Sequence, residues 1–360
     1  MVKQLLRQFV KFLSLAAVCT LSSSAQPTLQ RFHQTHPAMG TIFTIDLYVA
    51  DQATAEQDMD LAFDEIDRLE ALLSNYRPSS ELSRISREAG AAPVVTDPET
   101  FRFLERSLYW SRVSNGAFDI TVGPLLRAWG FFFHQGRVPS QAELNAVRNK
   151  IGWKNIALDP QSRTVSFTNH QPMELDPGSI GKGFAVDSVV KLLRNQGVTS
   201  AFISAGGSTL YAIGAVPGTQ GWPVDIPDPR PDPRHPGKIA ATILLKDTSL
   251  STGACTEKFF IQNGHRYCHI FDPRTMRPVE AMLQTTVIDP SATDSDALST
   301  VVFVLGPDAS RKLLASMPGT QALIFNQPPS PPSAPSCTAI NWTGNPCEAS
   351  STAAKRIPPS

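Results

Sequence analysis

The sequence predicts an α+β domain, in which mixed sheets are packed against helices. Three patterns indicate this class. Residues from Ile42 to Val49 alternate between an apolar and a more polar face, as in a strand with one buried side. The segment Thr54 to Leu73 carries its large apolar residues on one stripe, as in an amphipathic helix. The dipeptide Asn263-Gly264 separates two strand-like runs and is typical of a tight hairpin turn.

The overall composition limits the possible function classes. The chain has 360 residues, with 32 Lys and Arg balanced by 32 Asp and Glu. This length allows one large domain or two smaller ones with a sizeable core. The formal net charge of +0 argues against a nucleic-acid partner held by bulk charge.

The first 25 residues have the pattern of a signal peptide. Lys3, Arg7 and Lys11 form a basic start, and the apolar run from Phe12 to Leu21 is too short to span a membrane. Small residues ending at Ala25 offer a cleavage site. We therefore expect an exported, periplasmic protein.

Cys19, within this leader, is a weak candidate for a lipid anchor at the inner membrane, because Val18 stands where a small residue is normal.

The remaining chain divides into a long domain and a short tail. Residues 26–326 are predicted to form the main folded domain. Residues 327–360 are rich in Pro and Ser and are predicted to be disordered.

Two pairs of cysteines follow the leader. Cys337 and Cys347 are close in sequence and are candidates for a small disulfide loop in an oxidising compartment. Cys255 and Cys268 flank the predicted hairpin turn. A two-residue turn places Cys268 opposite residue 258 or 259, so a bridge from Cys268 to Cys255 is predicted to be strained.

Helix and strand signals continue along the chain. Asp97 precedes a proline and a glutamate, which predicts a capped helix start. A capping box at Ser140–Glu143 predicts a short helix through Val147. Strand-like runs follow at Ile156–Leu158 and Thr164–Phe167.

The most informative stretch runs from Met173 to Gly207. A glycine-studded loop opens a helix that ends before Gly197, and a short apolar strand follows. Backbone N–H groups, the helix N-terminus and Lys182 together suit a bound phosphate. The alternative is an ordinary tight connection with a surface lysine. The loop matches neither the P-loop nor the dinucleotide-binding glycine pattern.

Several polar residues allow a structural and a functional interpretation. Tyr76 is either a core tyrosine or a ring at a ligand. Asp119 lies in an apolar setting and either caps a turn or binds a polar ligand group. Asp296 and Thr300 are four residues apart on a predicted helix, so they share one face.

Carboxylate and hydroxyl oxygens suit magnesium. The alternative for this pair is an acidic first turn followed by a helix threonine. His269 follows the hairpin, beside Asp272, which is placed to orient its ring.

Seven segments in order resemble the ApbE family, the FAD:protein FMN transferases. The segments span about residues 32 to 325. They are MGTIFTI, starting at Met39; LSNYRPSSELSRIS, ending at Ser86; GAFDITVGPLLRAWGF, Gly116–Phe131; LDPGSIGKGFAVD, Leu175–Asp187; SAGG, Ser204–Gly207; RYCHIFDPRT, Arg266–Thr275; and SATDSDALSTVVFVLG, Ser291–Gly306.

The resemblance implies a single catalytic domain of T-fold-like architecture that binds FAD and Mg²⁺. It implies an enzyme that cleaves the FAD pyrophosphate, attaches FMN to a Thr or Ser of an acceptor protein and releases AMP. The implied acceptor is a redox-pump or electron-transfer subunit. The implied FAD contacts are Met39, Tyr76, Ala117, Phe118, Asp119, Asp176, Lys182 and Ile270.

The remaining implied roles concern metal binding and proton transfer. Asp296 and Thr300 resemble magnesium ligands, with the Ser179 carbonyl as a third. His269 resembles a general base, and Lys182 would stabilise the charge that grows on the phosphates. Two alternatives stay open: an Mg²⁺-dependent FAD pyrophosphatase that releases FMN and AMP, and a periplasmic flavin-binding module without catalysis. The tyrosine at position 76 favours transfer within the family.

Overall fold

A computed structural model describes residues 28–133, 135–230, 237–255, 258–327 and 335–347. The predicted signal peptide and Cys19 lie outside these residues. Within the described ranges, no helix combines the length and apolar character needed to cross a membrane.

The α-helices lie between and after the strands. They are α1 (Gln52–Leu73), α2 (Glu81–Glu88), α3 (Pro98–Val113), α4 (Gly123–Ala128), α5 (Gln141–Arg148), α6 (Gly181–Asn195) and α7 (Ala292–Leu314), with short 3₁₀ turns at Phe131–Phe133 and Trp153–Asn155. The strands are β1 (Gln30–Ala38), β2 (Thr41–Val49), β3 (Val94–Val95), β4 (Ile156–Asp159), β5 (Thr164–Phe167), β6 (Ala201–Ala205), β7 (Thr209–Ile213), β8 (Trp222–Pro227), β9 (Ile239–Leu245), β10 (Thr248–Ala254), β11 (Phe259–Gln262), β12 (His265–Cys268), β13 (Phe271–Asp272), β14 (Arg277–Pro278), β15 (Met282–Asp289), β16 (Gln321–Asn326) and β17 (Ser336–Ile340).

One eight-stranded sheet organises the domain. Its strand order is β1-β2-β6-β7-β10-β15-β16-β17. The predicted α+β class with packed helices is confirmed. Every strand pair of the described residues is antiparallel, so the sheets do not mix strand directions.

Both faces of this sheet are covered. On β7, Tyr211 and Ile213 face the core formed with α1 and α6, whereas Leu210 and Ala212 face the ribbon of β8 and β9. Because successive side chains of a strand point to opposite faces, a strand covered on both sides is apolar throughout. All five residues of β7 are accordingly buried.

The predicted local signals for helices and turns are confirmed. Asp97 caps α3 with Pro98 in its first turn, and Ser140 and Glu143 form the capping box of α5. Asn263 and Gly264 have φ of 53° and 75°, the left-handed conformation that a tight turn between β11 and β12 requires.

The tail prediction is wrong for residues 335–347. β17 pairs with β16, and Cys337 and Cys347 form the expected disulfide, with Cα atoms 5.5 Å apart. The composition of the tail is that of a disordered segment, but a strand that adds to an existing sheet edge needs little core of its own. Residues 328–334 and 348–360 lie outside the described residues.

The prediction for the other cysteine pair is also wrong, although its premise holds. Cys268 does face Phe259 across the hairpin. Cys255, however, follows the end of β10 and is not a hairpin residue. It lies directly after a strand of the large sheet, and the two cysteines form a disulfide with Cα atoms 5.4 Å apart.

Candidate active site

A cavity of about 740 Å³ brings the predicted site residues together. It lies where the first turns of α6 and α7, the β6–β7 turn, the end of β10 and the β11–β12 hairpin meet. The predicted residues that line it are Tyr76, Ala117, Phe118, Asp119, Asp176, Ser179, Lys182, His269, Ile270, Asp296 and Thr300.

Met39 is the exception. It forms the turn between β1 and β2 with a φ of 51°, and its side chain packs against the core shared by α1 and α6. The structure does not place Met39 in the cavity lining, because the β1–β2 hairpin directs its turn toward that core.

The helical floor of the cavity consists of residues 181–187 of α6 and residues 291–300 at the start of α7. Asp187 joins the two helices, because its carboxylate accepts hydrogen bonds from the α7 N-terminus. The donors are Ser291 Oγ (2.7 Å), Ala292 N (2.8 Å), Thr293 N (2.9 Å) and Thr293 Oγ1 (2.6 Å). A carboxylate at this position satisfies N–H groups that have no partner within the helix.

Gly183 allows the close contact between these helices. A Cβ atom at this position would lie 2.1 Å from the Ala292 carbonyl oxygen and 2.8 Å from Asp296 Cβ. Any side chain here would therefore push α6 away from α7. Gly183, which was predicted to belong to a phosphate-binding loop, therefore serves the packing of α6 on α7.

Asp296 is buried in the floor and held from three directions. Its Oδ2 accepts a hydrogen bond from Gly183 N at 2.9 Å, and its Oδ1 accepts one from Thr209 Oγ1 at 3.1 Å. Lys182 Nζ lies 3.7 Å from Oδ1. Thr300 lies one turn further along α7, also in the cavity lining.

The oxygen set of Asp296, Thr300 and Ser179 fits a magnesium ion chemically. These are hard donors, and each Asp296 oxygen keeps lone-pair capacity beyond its one protein donor. Within the described residues, no three His, Cys, Asp or Glu side chains cluster as a metal site. A magnesium ion here would therefore depend on one carboxylate, neutral oxygens, water and substrate phosphate.

Asp176 lies near the α6 N-terminus and anchors the adjacent loop. Its Oδ1 accepts from Gly178 N at 2.8 Å, and its Oδ2 accepts from Asn75 Nδ2 at 2.7 Å. Burial raises the pKa of Asp176 above its ordinary value, against the opposing effect of the Gly178 N–H. Asn75, which the sequence did not single out, connects the loop to the segment of Tyr76.

Asp119 lines the cavity, but its carboxylate is used within the protein. Oδ1 accepts from the backbone N–H and hydroxyl of Thr121, and Oδ2 accepts from Trp153 N at 2.9 Å. These contacts are those of a turn cap. Burial raises the pKa of Asp119, and its hydrogen bonds oppose that shift.

The hairpin wall of the cavity comprises residues 258–270. His269 makes two hydrogen bonds to the Lys258 carbonyl oxygen. Its backbone N–H donates at 3.2 Å, and its ring Nδ1 lies 3.0 Å from the same oxygen. A carbonyl oxygen only accepts, so Nδ1 carries the hydrogen and Nε2 has the free lone pair. Burial lowers the pKa of His269 to about 4. The hydrogen bond to the Lys258 carbonyl opposes this shift, whereas the charges of Lys258 and Lys182 add to it.

The predicted orientation of His269 by Asp272 is wrong. Both carboxylate oxygens of Asp272 accept hydrogen bonds from the Arg274 guanidinium, at 2.8 Å each. The side chain of Asp272 is committed to a residue two positions away, and the Lys258 carbonyl orients His269 in its place. No sequence pattern identifies a backbone carbonyl as a hydrogen-bond partner, so the role of the Lys258 carbonyl could not be predicted.

A stack of planar groups stands at the edge of the cavity. The Tyr76 and Phe132 rings are stacked with centroids 4.6 Å apart, and Arg127 Cζ lies 3.5 Å from the Phe132 centroid. Glu174 holds Arg127 through both carboxylate oxygens at 2.7 Å. Tyr76 itself is 61% exposed, so the interpretation of this residue as a core tyrosine does not hold.

Named relatives align over most of the chain. A protein from Treponema pallidum (strain Nichols), named FAD:protein FMN transferase, is 30% identical over 327 residues, covering 86% of this chain and 89% of its own length. A protein of the same name from Vibrio cholerae is 29% identical over 302 residues, covering 82% of this chain and 87% of its own.

Solved structures share the fold. A flavin transferase ApbE from Vibrio cholerae superposes with a TM-score of 0.74 at 27% identity, covering 87% of this chain and 97% of its own. The apo form of the Pseudomonas stutzeri flavinyl transferase ApbE gives a TM-score of 0.75, also at 27% identity, with coverage of 87% and 95%.

The family profile settles the classification. The profile described as the ApbE family matches residues 39–324, which include every predicted site residue. The match extends from the β1–β2 turn to β16 and leaves the disulfide-closed tail outside. The resemblance drawn from the seven segments is confirmed: the chain belongs to the ApbE family.

Proposed function

We propose that this protein is an FAD:protein FMN transferase. The observation that carries the proposal is one cavity that combines a basic helix N-terminus at Lys182, a held carboxylate at Asp296 and a neutral histidine at His269. The relatives named FAD:protein FMN transferase align with this chain over 89% and 87% of their own lengths.

The reaction exchanges one phosphoryl–oxygen bond for another. A Thr or Ser hydroxyl of the acceptor protein attacks the phosphorus on the FMN side of the pyrophosphate. A new phosphoester bond forms, the bond to the bridging oxygen breaks, and AMP leaves with that oxygen. The acceptor is a redox-pump or electron-transfer subunit in this proposal.

His269 takes the proton of the attacking hydroxyl at Nε2. Its lowered pKa keeps it neutral near pH 7, so the lone pair is available. The negative phosphates of bound FAD would raise the basicity of the ring, in opposition to Lys258 and Lys182. The Lys258 carbonyl stabilises the resulting imidazolium through the Nδ1 hydrogen.

Lys182 and the N-terminus of α6 bind the pyrophosphate and stabilise the charge on the departing AMP. Asp296, Thr300 and the Ser179 carbonyl would hold Mg²⁺. When bound, Mg²⁺ would supply charge neutralisation on the phosphates. The hard oxygen donors of this set support the assignment.

The proposed location is outside the cytoplasm, in the periplasm. Two disulfides, Cys255–Cys268 and Cys337–Cys347, support an oxidising compartment. An inner-membrane anchor through Cys19 remains a separate proposal, which mass spectrometry of the mature N-terminus tests.

One assay tests the function. The protein is incubated with FAD, Mg²⁺ and a candidate acceptor, and the products are scored by in-gel flavin fluorescence and AMP release. Transfer predicts a fluorescent acceptor whose mass rises by one FMN group, with equal AMP. Free FMN with AMP and no labelled acceptor would indicate a pyrophosphatase, and bound FAD without AMP would indicate a binding module.

A further inference from the structure

Thr209 contacts the key carboxylate of the site but is outside the cavity lining. It is the first residue of β7 and follows the Gly206–Ser208 turn, which does line the cavity. Its side chain is fully buried, and its hydroxyl donates to Asp296 Oδ1 at 3.1 Å. The contact joins the central sheet to the start of α7.

The two Asp296 oxygens are held from different elements. Gly183 N, in the first turn of α6, donates to Oδ2, whereas Thr209 donates to Oδ1. One donor on each oxygen fixes the rotation of the carboxylate about its last bond. A carboxylate offers about four lone-pair sites, so each oxygen can still accept one contact from the cavity.

We propose that Thr209 is a positioning residue for the cation-binding carboxylate of Asp296. The inference rests on the proposed function in one respect, that Asp296 binds a divalent cation. With the hydroxyl in place, the carboxylate is preorganised and loses little rotational freedom when the cation binds. Without it, Oδ1 is free to turn toward Lys182 Nζ, 3.7 Å away.

A purely structural role is the competing explanation. In that case the hydroxyl serves only to satisfy a buried carboxylate, and its loss would lower stability without changing cation affinity. Partners that orient metal ligands typically change affinity by about 10–100-fold when they are removed. Cation affinity therefore separates the two explanations.

The test compares Thr209→Val, which keeps the shape and removes the hydroxyl, with Thr209→Ser, which keeps the hydroxyl. Mn²⁺ binding is measured by electron paramagnetic resonance on the full protein with FAD bound and the acceptor omitted, and Mg²⁺ competes for the site. We expect Thr209→Val to weaken Mn²⁺ binding by about 10–100-fold and Thr209→Ser to restore most of it.

Ser251 provides the matched control. It lies directly opposite Thr209 on β10, is equally buried, and its hydroxyl contacts Ser295 instead of Asp296. Ser251→Ala should leave Mn²⁺ affinity unchanged while showing a comparable loss of stability. In transfer assays, Thr209→Val should raise the Mg²⁺ concentration needed for half-maximal rate, with the rate largely recovered at saturating Mg²⁺.

Three results would overturn the proposal. Wild-type Mn²⁺ affinity in folded Thr209→Val would make the hydroxyl merely structural. Equal weakening by Ser251→Ala would point to a general loss of packing. A wild-type protein that transfers FMN but binds no Mn²⁺ would remove the metal assignment and this inference, while leaving the transferase function intact.

Discussion

The helical floor and the hairpin wall place their functional groups by different means. The floor positions Asp296 and Lys182 through the packing of α6 on α7 and through several buried or part-buried hydrogen bonds. The wall is a two-stranded hairpin with mostly exposed residues. Its connection to the sheet includes one disulfide, next to His269. The comparison indicates that the proposed phosphate- and metal-binding groups are fixed redundantly by hydrogen bonds. The proposed base depends instead on a hairpin held by its disulfide and by the packing of Phe260 and Tyr267 on neighbouring aromatic rings.

The largest expected effect comes from the floor. Asp296→Asn should reduce FMN transfer by about 10³-fold or more, since charge neutralisation at the phosphates contributes several kcal/mol to such reactions. Single-turnover transfer measures it, with circular dichroism to confirm folding. Asp308→Asn is the control, because Asp308 is exposed, lies beyond the kink at Gly306 in α7, and is away from the cavity. Full activity in folded Asp296→Asn would remove Asp296 from the site.

The next effect tests the wall. His269→Ala should lower transfer by about 10²–10⁴-fold with near-normal FAD affinity, the usual contribution of one general base. His265→Ala, on the same hairpin but bonded to Glu280, should behave like the wild type. Fluorescence quenching by bound FAD and single-turnover transfer separate binding from chemistry. Weakened binding with an intact transfer rate would contradict the role as a base.

The pH profile sharpens this assignment. His269 has a pKa of about 4 in the free protein, so it is neutral above about pH 5 and becomes protonated as the pH falls through 4. If protonation of His269 sets the acid limit, kcat/KM should be constant from pH 5 to 8 and fall toward pH 4. The acid limb should disappear in His269→Ala. A limb centred near pH 6.5 would indicate an unburied histidine in solution.

An intermediate effect is expected from the disulfide of the wall. The double change Cys255→Ser and Cys268→Ser should lower transfer by about tenfold, because small displacements of a catalytic group are costly. It should also cost about 3 kcal/mol of stability. Cys337→Ser with Cys347→Ser is the matched control, which should cost similar stability and leave transfer unchanged. Equal transfer by the two double variants would show that the wall holds His269 without its disulfide.

The smallest effect on transfer is expected from the cap of the floor. Asp187→Ala removes the acceptor of several hydrogen bonds and should cost about 1–3 kcal/mol of unfolding free energy. Since packing still holds α6 on α7, transfer by the folded protein should stay near the wild type. Asp97→Ala, which removes a single-donor cap of α3, should cost about 1 kcal/mol. Urea denaturation measures both. A large loss of transfer in Asp187→Ala would show that the floor is not redundantly held.

The same contrast explains what could be predicted from the sequence. Groups on regular elements, such as Asp296 and Thr300 four apart on α7, follow from helical spacing. Contacts between distant segments do not, since Thr209 and Asn75 reach their aspartates across 87 and 101 residues of sequence. The disulfide prediction failed for this reason: the register of β11 and β12 is local, but the position of Cys255, directly after β10, is set by the large sheet.

The tail strand has a consequence for behaviour in solution. β17 pairs along β16, whose inner residues Ala322–Phe325 are all buried. If the chain ended at 326, β16 would become the last strand and would present an apolar row with unpaired N–H and C=O groups. Such an edge is a template for strands of other molecules. We therefore expect residues 335–347, closed by the Cys337–Cys347 disulfide, to protect this edge from other molecules. A protein truncated at residue 326 should form soluble oligomers or precipitate while its cavity stays intact.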